Sequence, residues 1–156
     1  MMNYMELFSK ASIIGFDGDY DFLSNFYDFS ITFNGVHYKT SEHAYQAQKT
    51  LVQDEIDLVM AASTPGKAKR IAKDVTVRED WEGVKVGVMR DILWAKFSNE
   101  FLRNKLLETK SARLIEANNW GDKFWGMCDD KGKNMLGKLL MEIREEMTKP
   151  DIFELP

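Results

Sequence analysis

Side chains able to do chemistry are densest in Thr40-Ser41-Glu42-His43-Ala44-Tyr45-Gln46-Ala47-Gln48-Lys49. The segment reads as a helix start, with Thr40 or Ser41 as the N-cap whose hydroxyl accepts a first-turn N–H. Glu42 falls in the first turn, where the positive end of the helix dipole favours a carboxylate. Lys49 follows about two turns later, so helical spacing puts the two on one face with Tyr45 and Gln46 between them. A carboxylate, a phenol, an amide and an amine on one face suit the floor of a pocket. Such a set can do acid–base work or stabilise developing charge. The plain alternative is a solvated amphipathic helix.

Two further stretches have the composition of a ligand site. Asn118-Asn119-Trp120-Gly121-Asp122-Lys123-Phe124-Trp125-Gly126 reads as a loop combining rings to stack, amides to read polar edges and glycines that let backbone come close. Asp21-Phe22-Leu23-Ser24-Asn25-Phe26-Tyr27 has neither helical nor strand periodicity. It is either a loop offering Ser24 and Asn25 to a ligand or a turn packed on the core. A short basic helix, Pro65 to Lys73, carries Lys67, Lys69, Arg70 and Lys73, charges that are usually solvated and only sometimes bind phosphate. His37 falls on the exposed face of a strand. His43 points about 100° away from Glu42, which argues against a catalytic pairing.

Recognisable elements must position these residues. Ile13 to Phe16 reads as a short strand ended by the turn Asp17-Gly18-Asp19. Phe29 to Phe33 alternates apolar and polar, and Asn34-Gly35 before Val36-His37-Tyr38 signals a hairpin that delivers the chain to the Thr40 helix. A second helix spans Asp54 to Ala62, and Ser63-Thr64-Pro65 restarts a third. Asp80 is the expected cap of the longest helix, Trp81 to Phe97, with Trp81, Val84, Val88, Ile92 and Ala95 as its apolar stripe. Trp81 belongs either to the core or to a pocket rim, and periodicity does not separate the two. Ser98 or Asn99 caps a helix to Glu108, Leu114 to Ala117 reads as a strand, and Asn134 caps a last helix from Met135 to Lys149 that Pro150 ends. Leu136, Leu139, Leu140 and Ile143 should face inward.

The chain has 156 residues, 44% of them hydrophobic, and a net charge of −4. One folded domain is the default, and a broad electrostatic grip on nucleic acid is disfavoured. One cysteine and two histidines supply neither an internal disulfide nor a zinc site of ordinary spacing. The expectation is a soluble cytoplasmic protein with no metal, no cofactor, no membrane association and no obligate protein partner. It is divided into an N-terminal arm 1–12, a domain 13–149 and a tail 150–156.

Taken in order, several stretches resemble one family, the NADAR or YbiA-like proteins. They are Phe22-Leu23-Ser24-Asn25-Phe26; Thr40-Ser41-Glu42-His43 with Gln46-Ala47-Gln48-Lys49; Trp81-Glu82 with Val88-Met89-Arg90; Ala95-Lys96-Phe97; Asp122 with Trp125-Gly126; and Gly132-Lys133-Asn134-Met135-Leu136-Gly137, running on to Leu140-Met141 and Arg144. Each is weak alone, and the ordered set is specific over residues 14 to 148. The resemblance implies an N-glycosidase that cleaves the bond between a ribose C1′ and nitrogen, as in early riboflavin-pathway pyrimidine ribosylamino phosphates. The alternatives it implies are removal of ADP-ribose from guanine in DNA, or a non-catalytic ADP-ribose or nucleotide-binding module. Nucleic acid is then a partner only if it carries ADP-ribose.

By the same resemblance Glu42 is the acid, Asp122 and Trp81 are pocket residues, and Lys49 stands where some members carry a Schiff-base lysine; Glu42, Lys49 and Asp122 are the candidate catalytic set, with Asp122 protonating the leaving group or binding ribose hydroxyls. Ser24, Asn25, Phe26, Trp125, Gly126 and Asn134, all in the stretches that carry the resemblance, complete the candidate substrate-binding set. One departure stands out. Ala72-Lys73 replaces a Gly-Arg common in the family, and a lysine offers a phosphate a point charge rather than a bidentate fork. That affects substrate choice more than reaction type. The expected fold is α+β and mostly α-helical, a single compact YbiA-like domain with a small N-terminal β-hairpin. Its pocket would be lined by the Glu42 helix, the Trp81 end of the long helix and the Asp122–Gly126 loop.

Overall fold

Elements are short strands interleaved with helices, and the computed structural model describes residues 11–149. Most of the expected arm and the whole of the expected tail lie outside the described residues. The chain divides into two compact units, Asn25–Asn99 and Met1–Ser24 with Glu100–Pro156.

In the unit Asn25–Asn99, β2 (Ile31–Phe33) and β3 (Val36–Tyr38) form the hairpin read from the sequence. Asn34 and Gly35 both take positive φ, 50° and 77°, as a tight hairpin turn requires. Ile31, Phe33 and Tyr38 are buried, while Thr32 and His37 pair across the outer face with Oγ1 2.6 Å from Nδ1. Helix α1 (Ser41–Ala47) follows, with Thr40 as its cap accepting from the His43 N–H at 3.2 Å. Helices α2 (Gln53–Ala61) and α3 (Pro65–Ile71) pack on it, and α3 starts at the Thr64 cap and Pro65 as expected but stops two residues short of Lys73.

Helix α4 (Trp81–Phe97) has the expected span but a different cap and a different buried face. The Asp80 carboxylate does not cap it; its oxygens take Arg78 Nε at 2.5 Å and Nη2 at 2.8 Å. Trp81, Met89, Ile92, Leu93, Lys96 and Phe97 are buried, whereas Val84, Val88 and Ala95 of the expected stripe are half-buried. The helix packs on both α1 and β2, so its covered face is broader than a single stripe and is turned toward Met89 and Leu93. Lys96 is 1% exposed on that face, its Nζ 5.6 Å from the Tyr27 ring centroid and 5.2 Å from that of Phe97.

In the other unit β1 (Ser12–Ile14) pairs in parallel with β4 (Arg113–Ile115). Gly18–Leu23 forms a 3-10 helix that periodicity did not show, because six residues of that helix offer no amphipathic repeat. Helix α5 is Glu100–Glu108. The strand expected over Leu114 to Ala117 is broken at Glu116 into β4 and β5 (Ala117–Asn118), and β5 pairs in parallel with β6 (Met127–Cys128). Helix α6 (Met135–Met147) buries Leu136, Leu139, Leu140 and Ile143 as expected. A Cβ on its Gly137 would lie 2.1 Å from the Leu114 carbonyl oxygen, so only glycine lets α6 sit this close to β4.

Candidate active site

Glu42 is 7% exposed, yet its carboxylate is held in a defined direction. The Gln46 Nε2 donates to Glu42 Oε1 at 2.7 Å, one turn along α1, and the Glu42 N–H donates to the Asn25 carbonyl at 3.0 Å. On the residues that bond to or flank Glu42, three buried polar atoms have no hydrogen-bond partner: Gln46 Oε1, Asn25 Oδ1 and Ser41 Oγ. Buried polar atoms are almost always paired, so bare ones on residues that bond to or flank Glu42 make this a candidate site. Asn25 is oriented by its Nδ2, 3.3 Å from the Met89 sulfur, which leaves Oδ1 as the bare end.

Lys49 feels the charge of this carboxylate, but it is not placed as expected. Helix α1 ends at Ala47, so Lys49 sits in the turn beyond it rather than two turns along its face. Its carbonyl accepts from the Arg78 N–H at 2.8 Å, and its Nζ lies 5.9 Å from the Tyr45 ring centroid. Burial pushes the amine below its ordinary pKa of 10.5; Glu42 and Glu82 pull it back up, and Lys69 and Lys85 push it further down. Lysine nucleophiles need this kind of environment, and burial wins over the neighbouring carboxylate. Trp81, 5% exposed, packs its ring 5.2 Å from that of Tyr45 and so belongs to the core.

His43 is built into the scaffold. Its Nε2 lies 2.9 Å from the Ala62 carbonyl, which can only accept, so that nitrogen carries the proton and Nδ1 faces the Thr40 hydroxyl at 2.8 Å. Phe26 of the proposed binding set is exposed in the same unit, and Asn25 is buried there. Ser24 is half-buried, with its N–H on the Asp21 carbonyl at 2.9 Å, at the end of the other unit.

Asp122, Trp125, Gly126 and Asn134 are gathered in that other unit. Asp122 Oδ1 accepts the N–H groups of Phe124 at 3.1 Å and Trp125 at 2.9 Å, and Asn118 Nδ2 donates to the Asp122 carbonyl at 2.7 Å. The Phe124 and Trp125 rings meet edge to face with centroids 4.9 Å apart. A Cβ on Gly126 would lie 2.2 Å from the Glu116 carbonyl oxygen, so this glycine serves backbone packing.

Asn134 is not a side-chain cap. It has φ 49°, and its Oδ1 accepts the Glu116 N–H at 2.9 Å while its Nδ2 donates to the Leu114 carbonyl at 2.9 Å. The N-terminus of α6 is satisfied instead by the aromatic loop: the N–H groups of Met135 and Leu136 donate to the carbonyls of Phe124 and Trp125 at 3.0 and 2.9 Å. Among the described residues there is no group of three or more His, Cys, Asp or Glu side chains that could hold a metal ion. No helix among them is long and apolar enough to cross a membrane.

These features coincide with one class of protein. The model of the NADAR domain matches residues 10–148, and the chain belongs to that family. An N-glycosidase YbiA from Escherichia coli is 42% identical over 133 residues, covering 83% of this chain and 82% of that protein. An N-glycosidase of Nostoc punctiforme is 38% identical over 135 residues, covering 82% and 86%. A riboflavin biosynthesis protein of Vibrio vulnificus is 40% identical over 138 residues, of which this chain covers 36%. The solved NMR structure of the E. coli protein YbiA superposes with a TM-score of 0.82 at 38% identity, covering 94% of this chain and 91% of that one. The mixed, mainly helical fold expected from the sequence is therefore the fold of the family.

Proposed function

We propose that this protein is an N-glycosidase that hydrolyses the C1′–N bond of a ribosylamino phosphate of the riboflavin pathway. The observation that carries the reading is the buried Glu42 carboxylate, fixed by Gln46 and bordered by polar atoms awaiting a ligand. The names of the relatives at about 40% identity support it. As the nitrogen departs with its bonding pair, positive charge develops on C1′ and the ring oxygen, and a fixed carboxylate stabilises that charge. Water then adds its oxygen to C1′ and gives a proton to Glu42, which the leaving nitrogen finally receives. Lys49 and its lysine neighbours supply positive charge for the substrate phosphate. A charged phosphate crosses a lipid bilayer poorly, which supports a cytoplasmic setting for the reaction.

The lowered pKa of Lys49 supports a second route on ADP-ribose-type substrates: the neutral amine bonds to C1′ as the base nitrogen leaves with its bonding pair and takes up one amine proton, and the C1′–ring oxygen bond then breaks, the oxygen taking the second proton, to give an imine. The experiment that tests the main reading is release of ribose phosphate and free amine, followed by mass spectrometry, for wild type and Glu42→Gln. The substitution keeps shape and removes charge. It should lower turnover by about two to four orders of magnitude without loss of fold. Turnover within a few-fold of wild type would remove Glu42 from the reaction.

A further inference from the structure

The bond of Gln46 to Glu42 fixes both ends of its amide. A carboxylate oxygen only accepts, so Gln46 must present its NH₂ end to Glu42 Oε1, which it does at 2.7 Å. The orientation of the amide is thereby decided, and its carbonyl oxygen is left as an acceptor. That oxygen is buried and without a partner, on a side chain only 3% exposed. Asn25, whose carbonyl receives the Glu42 N–H, presents a second bare acceptor, Oδ1, 6% of the residue being exposed. Two acceptors repel a phosphate, which is itself acceptor-only at neutral pH, and call for hydroxyl or amine donors. The Gln46 acceptor is one amide width from the carboxylate that faces C1′. In a ribosyl group the donor next to C1′ is the 2-hydroxyl.

We infer that Gln46 is the sugar-reading residue of this site: its nitrogen positions Glu42 and its oxygen accepts the ribose 2-hydroxyl, with Asn25 Oδ1 taking the neighbouring hydroxyl. The inference rests on the reading that Glu42 acts at C1′. Its consequence is selectivity for ribosyl over 2-deoxyribosyl groups, because a site built around a hydroxyl rejects the analogue that leaves its buried acceptor unpaired. A bond to the 2-hydroxyl also strengthens as the oxocarbenium character of C1′ grows, so Gln46 contributes to turnover as well as to binding.

Turnover alone is a poor test of this selectivity, since loss of the electron-withdrawing 2-hydroxyl itself eases departure of the nitrogen. Binding is cleaner. Calorimetric titration of the whole protein with ribose 5-phosphate and with 2-deoxyribose 5-phosphate should show at least about a tenfold preference for the first, the scale of one well-made hydrogen bond. Gln46→Met has nearly the same length and no amide. It should abolish the preference while a thermal melt stays close to wild type. Equal affinity of wild type for the two sugars overturns the inference without need of any variant. So does a preference that survives in folded Gln46→Met. Discrimination by wild type together with failure to release amine from any ribosylamino phosphate would leave Gln46 as a sugar reader and remove the proposed reaction instead.

Discussion

At the scale of single residues, Lys49 decides between two chemistries. Its amine has a pKa below 10.5 because burial outweighs the carboxylates of Glu42 and Glu82. The sign for stability follows: the unfolded chain binds more protons than the folded one in the window just beneath 10.5, so stability rises with pH there, and at pH 7 the buried charge is a net cost. Lys49→Met should therefore raise Tm at pH 7 while impairing activity, and a lower Tm would show that pairing with Glu42 dominates after all. If Lys49 attacks C1′, borohydride added during turnover should trap a sugar adduct on its peptide. With water as the nucleophile no adduct forms, and Lys49→Ala mainly raises KM. An adduct on Lys96 would transfer the role to the other buried lysine of this unit.

Elements hold these residues through a few specific bonds. The segment leading to Trp81 is tied back to the end of α1 by the Arg78 N–H on the Lys49 carbonyl. It is also tied by Glu55, whose carboxylate accepts from the Thr50 hydroxyl, from the Thr76 N–H at 3.0 Å and from the Thr76 hydroxyl at 2.9 Å. The Thr50 hydroxyl foremost, then the Thr76 groups, hold the Glu55 pKa below 4.5. A depressed carboxyl pKa contributes stability that is present above the unfolded value and lost as pH falls through the folded one. Glu55→Ala should thus have a lower Tm than wild type at pH 6, and the gap should close as the pH drops below 4.5. A gap independent of pH would mean that the ionised carboxylate does not make the latch.

For the whole molecule, net charge is misleading. The chain carries −4 overall, yet Lys69 and Lys85 lie near enough to Lys49 to push down its pKa. A phosphate would relieve that repulsion. For a phosphorylated substrate, raising ionic strength from about 0.05 to about 0.3 M should increase KM several-fold, as the screening length contracts to about the size of the cluster. The dephosphorylated analogue should show little change. Equal salt dependence for the two would place the phosphate away from these lysines. Lys73, exposed past the end of α3, is not among the charges that shift Lys49.

Local signals alone determined much of this protein. The Asn34-Gly35 hairpin, the Thr40 and Thr64 caps, Pro65 at a first helical position and the inward face of α6 follow from steric and capping rules that act within a few residues. Helical spacing put Glu42 and Lys49 on one face, but α1 stops before Lys49 and the structure links the two only through charge. Only tertiary structure could decide the rest. Whether Lys49 loses its proton depends on burial by distant segments, which no spacing shows. The α6 N-terminus bonds to carbonyls of a loop eleven residues upstream rather than to its own Asn134 side chain, a choice made when the two segments pack. Gln46 was legible as the amide of a polar helix face, but which end of it would stay bare was not. Its importance appears only once Glu42 claims one end of its amide and burial leaves the other end without a partner.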